Sequence, residues 1–257
     1  MSVSPKKALG QHFLVDENIL GVIGRMSDLQ ATDVVLEVGP GMGVLTRYLA
    51  DRVRLVHTLE LDRSLEPALR EALGERSNVH VVWGDALDVD VDVLEPPPNK
   101  LVANLPYNIA TPLVVETLEH AVSLRRWCVM VQREVADRFF ASPRTKSYGA
   151  VSVLVQLSAR KTGFHAVSPT VFRPRPRVGS ALVAFDRQPG ASISSVRSVV
   201  EAAFAHRRKT AANSIALAGL TSRARVEEAL ATVGHAAGAR AEELEPLEFV
   251  ALAETLR

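Results

Sequence analysis

Asp33-Val-Val-Leu-Glu37-Val-Gly39-Pro-Gly41-Met-Gly43 decides the fold: an apolar run without alternating polar residues, cut off by glycines. A strand buried on both faces reads this way, and such strands belong to parallel sheets covered by helices. Working outward, Arg54–Leu61, Val79–Trp83, Lys100–Asn104 and Trp127–Gln132 repeat the strand pattern. Val44–Arg52, the stretch opening at Asp62 (Leu65, Leu69 and Leu73 on one face) and Ala110–Ala121 carry helical spacing between them. Strands alternating with helices predict an α/β fold, a parallel sheet with helices on both faces. Residues 12–29 also read as helical, with Phe13, Ile19, Leu20, Ile23 and Met26 in register. Val151–Ser158 and Ala181–Phe185 read as two more strands, close enough to pair as an antiparallel edge. Beyond Pro189-Gly190 only helical periodicity remains, broken at Gly219, Gly234 and Gly238. The expectation is a large domain over 1–188, opening with a basic arm over 1–11, and a small all-helical domain over 189–257.

The 257 residues are 47% hydrophobic and 23% charged, which supports a sizeable core. A lone cysteine, Cys128, excludes an intrachain disulfide framework and a cysteine zinc cluster, and fits a reducing cytosol; no metal site is expected. No apolar run approaches the ~20 residues of a membrane helix, and Lys6-Lys7 precede no signal-peptide core. The net charge of +1 hides an asymmetry: ten acids against four bases over 60–100, ten bases against two acids over 160–210. A basic face of that kind can hold a phosphate backbone. Solvated surface is the plainer reading of such charge taken alone.

The glycine turn lets the backbone approach a ligand closely. It is not a dinucleotide fingerprint, because Val44 stands where the last glycine of G-x-G-x-x-G should be. The form E-x-G-x-G-x-G resembles instead the first motif of class I S-adenosylmethionine methyltransferases, whose sheet is Rossmann-like. Glu60, 21 residues after Gly39, ends the second strand and could accept both ribose hydroxyls. Asp85, in Gly84-Asp85-Ala86 after the third strand, could accept from an adenine amino group. Singly, each acid reads as surface or cap, and Asp62 reads as a helix cap. Together, at the carboxyl ends of successive strands, they mark the edge where open α/β sheets bind ligands.

Asn104-Leu105-Pro106-Tyr107 follows the fourth strand. It is the type seen in enzymes that methylate amino nitrogens. Adenine N6 is a poor nucleophile because its lone pair is delocalised into the ring. Two acceptors facing its two N–H groups, the Asn104 side-chain oxygen and the Leu105 carbonyl, would favour the pyramidal nitrogen. Pro106 restricts Leu105 to an extended conformation, and Tyr107 offers a stacking face. A strand-ending turn is the plainer alternative. A loop adenine is an easier target than a paired one, which would have to be flipped out.

With these residues assembled, the chain resembles the KsgA (RsmA) family of small-subunit ribosomal RNA adenine N6,N6-dimethyltransferases. The likeness runs through Lys7-Ala-Leu-Gly-Gln-His-Phe-Leu14, the glycine loop, Glu60-Leu-Asp62, Gly84-Asp85-Ala86 and Asn104-Leu-Pro-Tyr-Asn-Ile-Ala-Thr-Pro-Leu113. It continues in Gln132-Arg-Glu-Val-Ala-Asp-Arg138, Ser147-Tyr-Gly149, Ser168-Pro-Thr-Val-Phe-Arg-Pro-Arg-Pro-Arg-Val178 and Ala203-Phe-Ala-His-Arg-Arg-Lys-Thr-Ala-Ala-Asn-Ser214. The resemblance implies S-adenosylmethionine as cofactor, dimethylation of two adjacent adenosines in a 3′-terminal hairpin loop, and action on the assembling small ribosomal subunit as a monomer. It places His12, Leu14, Gly39, Gly41, Glu60, Asp85, Ala86 and Asn104 at the cofactor. It sets Phe172 opposite Tyr107 across the target base. Arg173, Arg175, Arg177, Arg207, Arg208 and Lys209 then read as RNA contacts. Two positions depart from the family pattern: His12 stands where Asn is frequent, and Gly179 where Asp is common. The nearest rival is the related Erm type, which methylates large-subunit RNA and confers antibiotic resistance. A non-catalytic ribosome-docking factor is a second rival, although it need not keep Asn104 and the glycines.

Overall fold

The computed structural model describes residue 6, residues 11–190 and residues 192–257. Most of the expected basic arm, and Lys7 to Gly10 of the first family motif, lie outside the described residues. The chain divides into two compact units, 1–136 with 160–187 and 137–159 with 188–257.

The first unit opens with β1 (Phe13–Leu14) and α1 (Glu17–Ser27). The helix therefore starts later than its apolar spacing suggests. Asp16 caps it by accepting from the Asn18 N–H (2.8 Å), and Asp28 ends it in the left-handed region. Then come β2 (Val34–Val38), α2 (Val44–Ala50), β3 (Leu55–Glu60), α3 (Glu66–Leu73), β4 (Val79–Trp83), β5 (Lys100–Asn104), α4 (Ala110–His120) and β6 (Arg126–Gln132). Helix α5 (Arg133–Phe139) leads into the second unit, which holds α6 (Ala150–Ser158). The chain returns for β7 (Ala159–Val167), β8 (Phe172–Arg173) and β9 (Ser180–Arg187).

The seven-stranded sheet runs β4-β3-β2-β5-β6-β9-β7. All five residues of β2 are buried, and the strand lies parallel between β3 and β5. Each of its fully buried aliphatic side chains stabilises the fold by roughly 1.5–3 kcal/mol. From β2 the order runs outward to β3 and β4 on one side and to β5 and β6 on the other. The carboxyl ends of β2 and β5 thus flank the crevice where such sheets take ligands. Antiparallel β9 closes on β6, and the Arg126–Asp186 ion pair (2.6 Å) spans one end of that ladder. Ile19, Leu20 and Ile23 of α1 join Leu45 and Leu49 of α2 in one core with Val35, Val56 and Met130 of the sheet.

Val151–Ser158 is a helix rather than a strand. Its valines favour strands, but Val153, Leu154, Val155 and Leu157 are all buried. A helix buried nearly all round has the same apolar run as an interior strand. Its start is fixed by Ser152, whose hydroxyl accepts from the Gly149 N–H (3.1 Å) and donates to the Arg138 carbonyl (2.6 Å). The edge strand is the following segment, β7, whose largely exposed Arg160-Lys161-Thr-Gly-Phe-His165 hides any alternation.

The second unit gathers α6, α7 (Ile193–Phe204), α8 (Ala211–Leu217), α9 (Arg223–Thr232) and α10 (Pro246–Leu256). Phe204 packs edge-on against Tyr148 (5.9 Å between centroids) and tilted against Phe249 (5.7 Å). The Tyr148 hydroxyl donates to the Leu244 carbonyl (2.8 Å). These contacts draw residues 137–159 into the helical unit, which is therefore larger than 189–257.

Candidate active site

A cavity of about 150 Å³ opens at the carboxyl ends of β2, β3, β4 and β5. Its floor is the glycine turn after β2, with Gly39, Gly41 and Gly43 all at positive φ. At Gly41 (φ +56°) a Cβ would meet Phe13 Cδ1 at 2.9 Å, so the turn needs glycine for conformation and for space. The charged side chains lining the cavity are Glu37, Glu60 and Asp85. Glu37 is 1% exposed and its Oε2 has no hydrogen-bond partner. Burial pushes its carboxyl up to about 7; the Thr46 and Thr58 hydroxyls and the nearby Glu60 carboxylate add smaller, opposed effects. Burial also raises Glu60, against the pull of backbone N–H groups: Oε1 accepts from Asp62 N–H (2.8 Å) and Oε2 from Gly41 N–H (3.3 Å). Asp85 accepts from the Leu87 N–H through Oδ1 (3.0 Å).

The Asn104-Leu105-Pro106-Tyr107 turn leaves β5 beside this acidic pocket. The Leu105 N–H donates to the Met130 carbonyl (3.0 Å), and the Pro106 carbonyl accepts from Ile109 (3.2 Å). The Asn104 side-chain amide donates to the His12 carbonyl (3.1 Å). That carbonyl can only accept, so the bond fixes which end of the amide is nitrogen. Asn104 Oδ1 remains as an acceptor at the cavity wall. The Tyr107 hydroxyl shares a hydrogen bond with Ser180 Oγ (2.7 Å); burial raises its pKa, and Ser180 offsets that in part.

The segment 11–14 crosses the same cavity. Antiparallel pairing of β1 with β8, Phe13 opposite Arg173 and Leu14 opposite Phe172, holds one end. At the other, Gln11 (3.0 Å) and Lys6 (2.6 Å) donate to Asp62. Burial opposes ionisation of Asp62, but Lys6, Ser64 and Gln11 hold its carboxyl far below the usual range. Asp62 also caps the turn over Arg63–Leu65, as its sequence context suggests.

Residues 3–257 match the family model described as ribosomal RNA adenine dimethylase. The chain belongs to that family. It is 52% identical over 250 residues to the ribosomal RNA small subunit methyltransferase A of Rubrobacter xylanophilus, covering 96% of this chain and 94% of that one. Its fold is similar to that of a dimethyladenosine transferase from Plasmodium falciparum, with a TM-score of 0.76, 22% identity, and 94% and 96% of the two chains covered. It is also similar to the 23S rRNA methyltransferase ErmE, with a TM-score of 0.66 and 31% identity over 95% and 99% of the chains. The sheet and crevice are those of a class I methyltransferase.

Against this dimethylase frame, the eight residues assigned to the cofactor, His12, Leu14, Gly39, Gly41, Glu60, Asp85, Ala86 and Asn104, all line the one cavity. Leu105, Pro106 and Tyr107 join them. Phe172 does not: it is 2% exposed and belongs to the core. Arg173, Arg175 and Arg177 are exposed in the first unit, and Arg207, Arg208 and Lys209 are exposed in the turn before α8 of the second. Glu37 and Gln11 line the cavity and Ser180 holds the Tyr107 hydroxyl, and sequence reasoning gives none of the three a role, although Glu37 and Gln11 stand inside quoted motifs. Glu37 carries a signal, an acid inside an otherwise apolar strand; Gln11 and Ser180 carry none without the fold.

Proposed function

We propose that this chain transfers methyl groups from S-adenosylmethionine to N6 of two adjacent adenosines in a 3′-terminal hairpin loop of small-subunit ribosomal RNA. Its proposed substrate is the assembling small subunit in the cytosol, where it acts as a monomer. The carrying observation is the engagement of Asn104 in the cavity wall: its amide nitrogen donates to the His12 carbonyl, which leaves Oδ1 as the free acceptor of a cavity-lining side chain. With the Leu105 carbonyl it offers two acceptors to the two N–H groups of an exocyclic amine. Pro106 restricts the backbone of Leu105, and Tyr107 presents a ring on which the base stacks. The donor, when bound, supplies a methyl group on a positively charged sulfur. Glu37, Glu60 and Asp85 give the cavity the acidic lining that such a cation fits, and the buried Glu37 Oε2 has no partner among the described residues. The glycine turn admits the donor closely, and segment 11–14 covers it. The N6 proton passes to water after transfer, so no side chain need act as base. Arg173, Arg175, Arg177, Arg207, Arg208 and Lys209 hold RNA phosphates.

The likeness to ErmE supports a second reading, methylation of large-subunit RNA. The higher identity to a small subunit methyltransferase A favours the first. Tritiated methyl transfer to isolated small and large subunits separates them. Label is expected in small-subunit RNA as N6,N6-dimethyladenosine; label in large-subunit RNA alone overturns the proposal, and label in neither indicates a docking factor.

A further inference from the structure

An adenine held by N6 still carries an acceptor beside that amine, the ring nitrogen N1. Enclosed without a hydrogen-bond donor, N1 costs more than the bond itself would give. Among the described residues, five amide, hydroxyl or imidazole side chains line the cavity: Gln11, His12, Asn104, Tyr107 and Asn108. Four of them are engaged. The Gln11 amide donates to Asp62 (3.0 Å), the Asn104 amide donates to the His12 carbonyl (3.1 Å), and the Tyr107 hydroxyl meets Ser180 Oγ (2.7 Å). His12 Nδ1 lies 2.8 Å from the Pro174 carbonyl. The Asn108 side chain makes no hydrogen bond among the described residues. We infer that Asn108 reads the target base, its side-chain amide donating to adenine N1 while Asn104 and Leu105 accept from N6. The inference rests on the adenine-methylation reading given above.

Three further features support this. First, Asn108 stands on the turn that carries both acceptors, one residue after Tyr107. The Ile109 N–H closes that turn on the Pro106 carbonyl (3.2 Å), which fixes where the Asn108 side chain leaves the backbone. Second, the amide is not committed to the helix that follows. Asparagine ahead of a helix ordinarily satisfies one of its free N–H groups, yet α4 begins at Ala110 without a side-chain cap. Asn108 is instead an exposed residue of the cavity wall, one that a bound base would cover. Third, the chemistry suits a neutral amide. Charge drawn towards N1 pulls the N6 lone pair into the ring, the delocalisation that methyl transfer must undo. A cationic side chain would draw it strongly; a carboxamide recognises N1 with little effect on N6. Asn108 therefore serves recognition more than the chemical step. Its rivals are the backbone N–H groups of Tyr107 and Asn108 itself, which no side-chain substitution removes.

The test crosses protein variants with substrate analogues. Small subunits are assembled on RNA whose ligated 3′ fragment carries, at the target positions, either adenosine or 1-deazaadenosine, which has C–H in place of N1. Methyl transfer is measured with the wild-type chain, Asn108→Ala and Asn108→Asp. The analogue's own amine reactivity is the same for each protein and cancels in the comparison. On adenosine, Asn108→Ala should lower kcat/KM about five- to a hundredfold, mostly through KM, the range for one enclosed acceptor left without its partner. The preference for adenosine over 1-deazaadenosine should shrink by a similar factor, because the variant has no amide to lose. Asn108→Asp offers only acceptors when ionised and should be at least as poor on adenosine. Equilibrium dialysis should show unchanged S-adenosylmethionine affinity in both variants. A merely structural role would lower both substrates equally, so an equal preference in the wild type and Asn108→Ala would overturn the inference. Unchanged kcat/KM on adenosine in Asn108→Ala would overturn it in favour of a backbone N–H, and so would a parallel fall in S-adenosylmethionine affinity in favour of a cofactor contact. A wild type that leaves subunits with natural adenosine unmethylated would refute the functional reading rather than the role of Asn108.

Discussion

Replacing Asn104 with Ala removes the acceptor that the structure orients most firmly. The side-chain amide is tied through its nitrogen to the His12 carbonyl at 3.1 Å, so the oxygen is already placed before any substrate arrives. Loss of one such preorganised group typically costs 10²–10³ in kcat, about 2.7–4 kcal/mol of transition-state stabilisation. The lost hydrogen bond to His12 adds about 0.5–1.5 kcal/mol to the folding cost, too little to unfold the domain. The expected result is a kcat at least 100-fold down, at about 10², with subunit binding nearly intact. Asn104→Asp is the informative companion. It keeps an acceptor but turns a second one towards the His12 carbonyl, so it should recover only part of the rate. Single-turnover transfer of tritiated methyl to small subunits reads the chemistry, and co-sedimentation reads binding. A kcat within tenfold of wild type in Asn104→Ala, or a parallel loss of binding, would refute the two-acceptor account.

Three further outcomes follow from the geometry. Glu37 has a folded pKa raised to about 7 from 4.5, so the native state holds a proton that the unfolded chain gives up, and stability should fall as pH rises through that window. Glu37→Gln should remove a pH-dependent loss of up to about 3 kcal/mol, at 1.36 kcal/mol per pH unit, and urea melts at pH 4.5, 6 and 8 would show it; identical pH slopes for the two proteins would sink the assignment. Gly41→Ala forces a left-handed residue, at about 1–2 kcal/mol, and pushes a Cβ against Phe13. Thermal melts should show a small loss and dialysis a donor affinity at least tenfold weaker; unchanged donor affinity would show that the turn does not touch it. Neutralising Arg207, Arg208 and Lys209 should flatten the slope of log affinity for the subunit against log salt by up to about 2–3, since each phosphate contact contributes about 0.7–0.9; an unchanged slope would remove that turn from the interface.

Much of this was legible in the residues, for a physical reason. Val34–Val38 is buried on both faces, so it appears as an apolar run broken only by Glu37, and the glycines after it mark its end; Leu55–Glu60 is equally buried although it carries His57 and Thr58. Glu60 and Asp85 were visible because they sit at fixed places after those strands. Val151–Ser158 misled because a helix buried on most sides gives the same composition as an interior strand, and only the packing of 137–159 with the helical unit decides between them. Phe172 misled differently. Its place in the motif was readable, but a two-residue ladder turns its side chain into the core and leaves His12 at the cavity. No local pattern reports a ladder between residues that lie so far apart in the chain.

On the proposed function, the segment 11–14 joins the donor and acceptor halves of the site through separate atoms of neighbouring residues. Gln11 grips Asp62, whose N–H in turn holds the carboxylate of Glu60 in the donor half. Phe13 packs on Gly41, where the turn has no room for a Cβ. His12 lies between them and serves the acceptor half, with its carbonyl on Asn104 and its ring beside Tyr107. Side chains alternate along an extended segment, so consecutive residues reach different walls of one cavity. Displacing these few residues therefore loosens the Glu60 carboxylate, the glycine turn and the Asn104 amide together. The two halves of the site are thus coupled through backbone geometry, without any bond between donor and base.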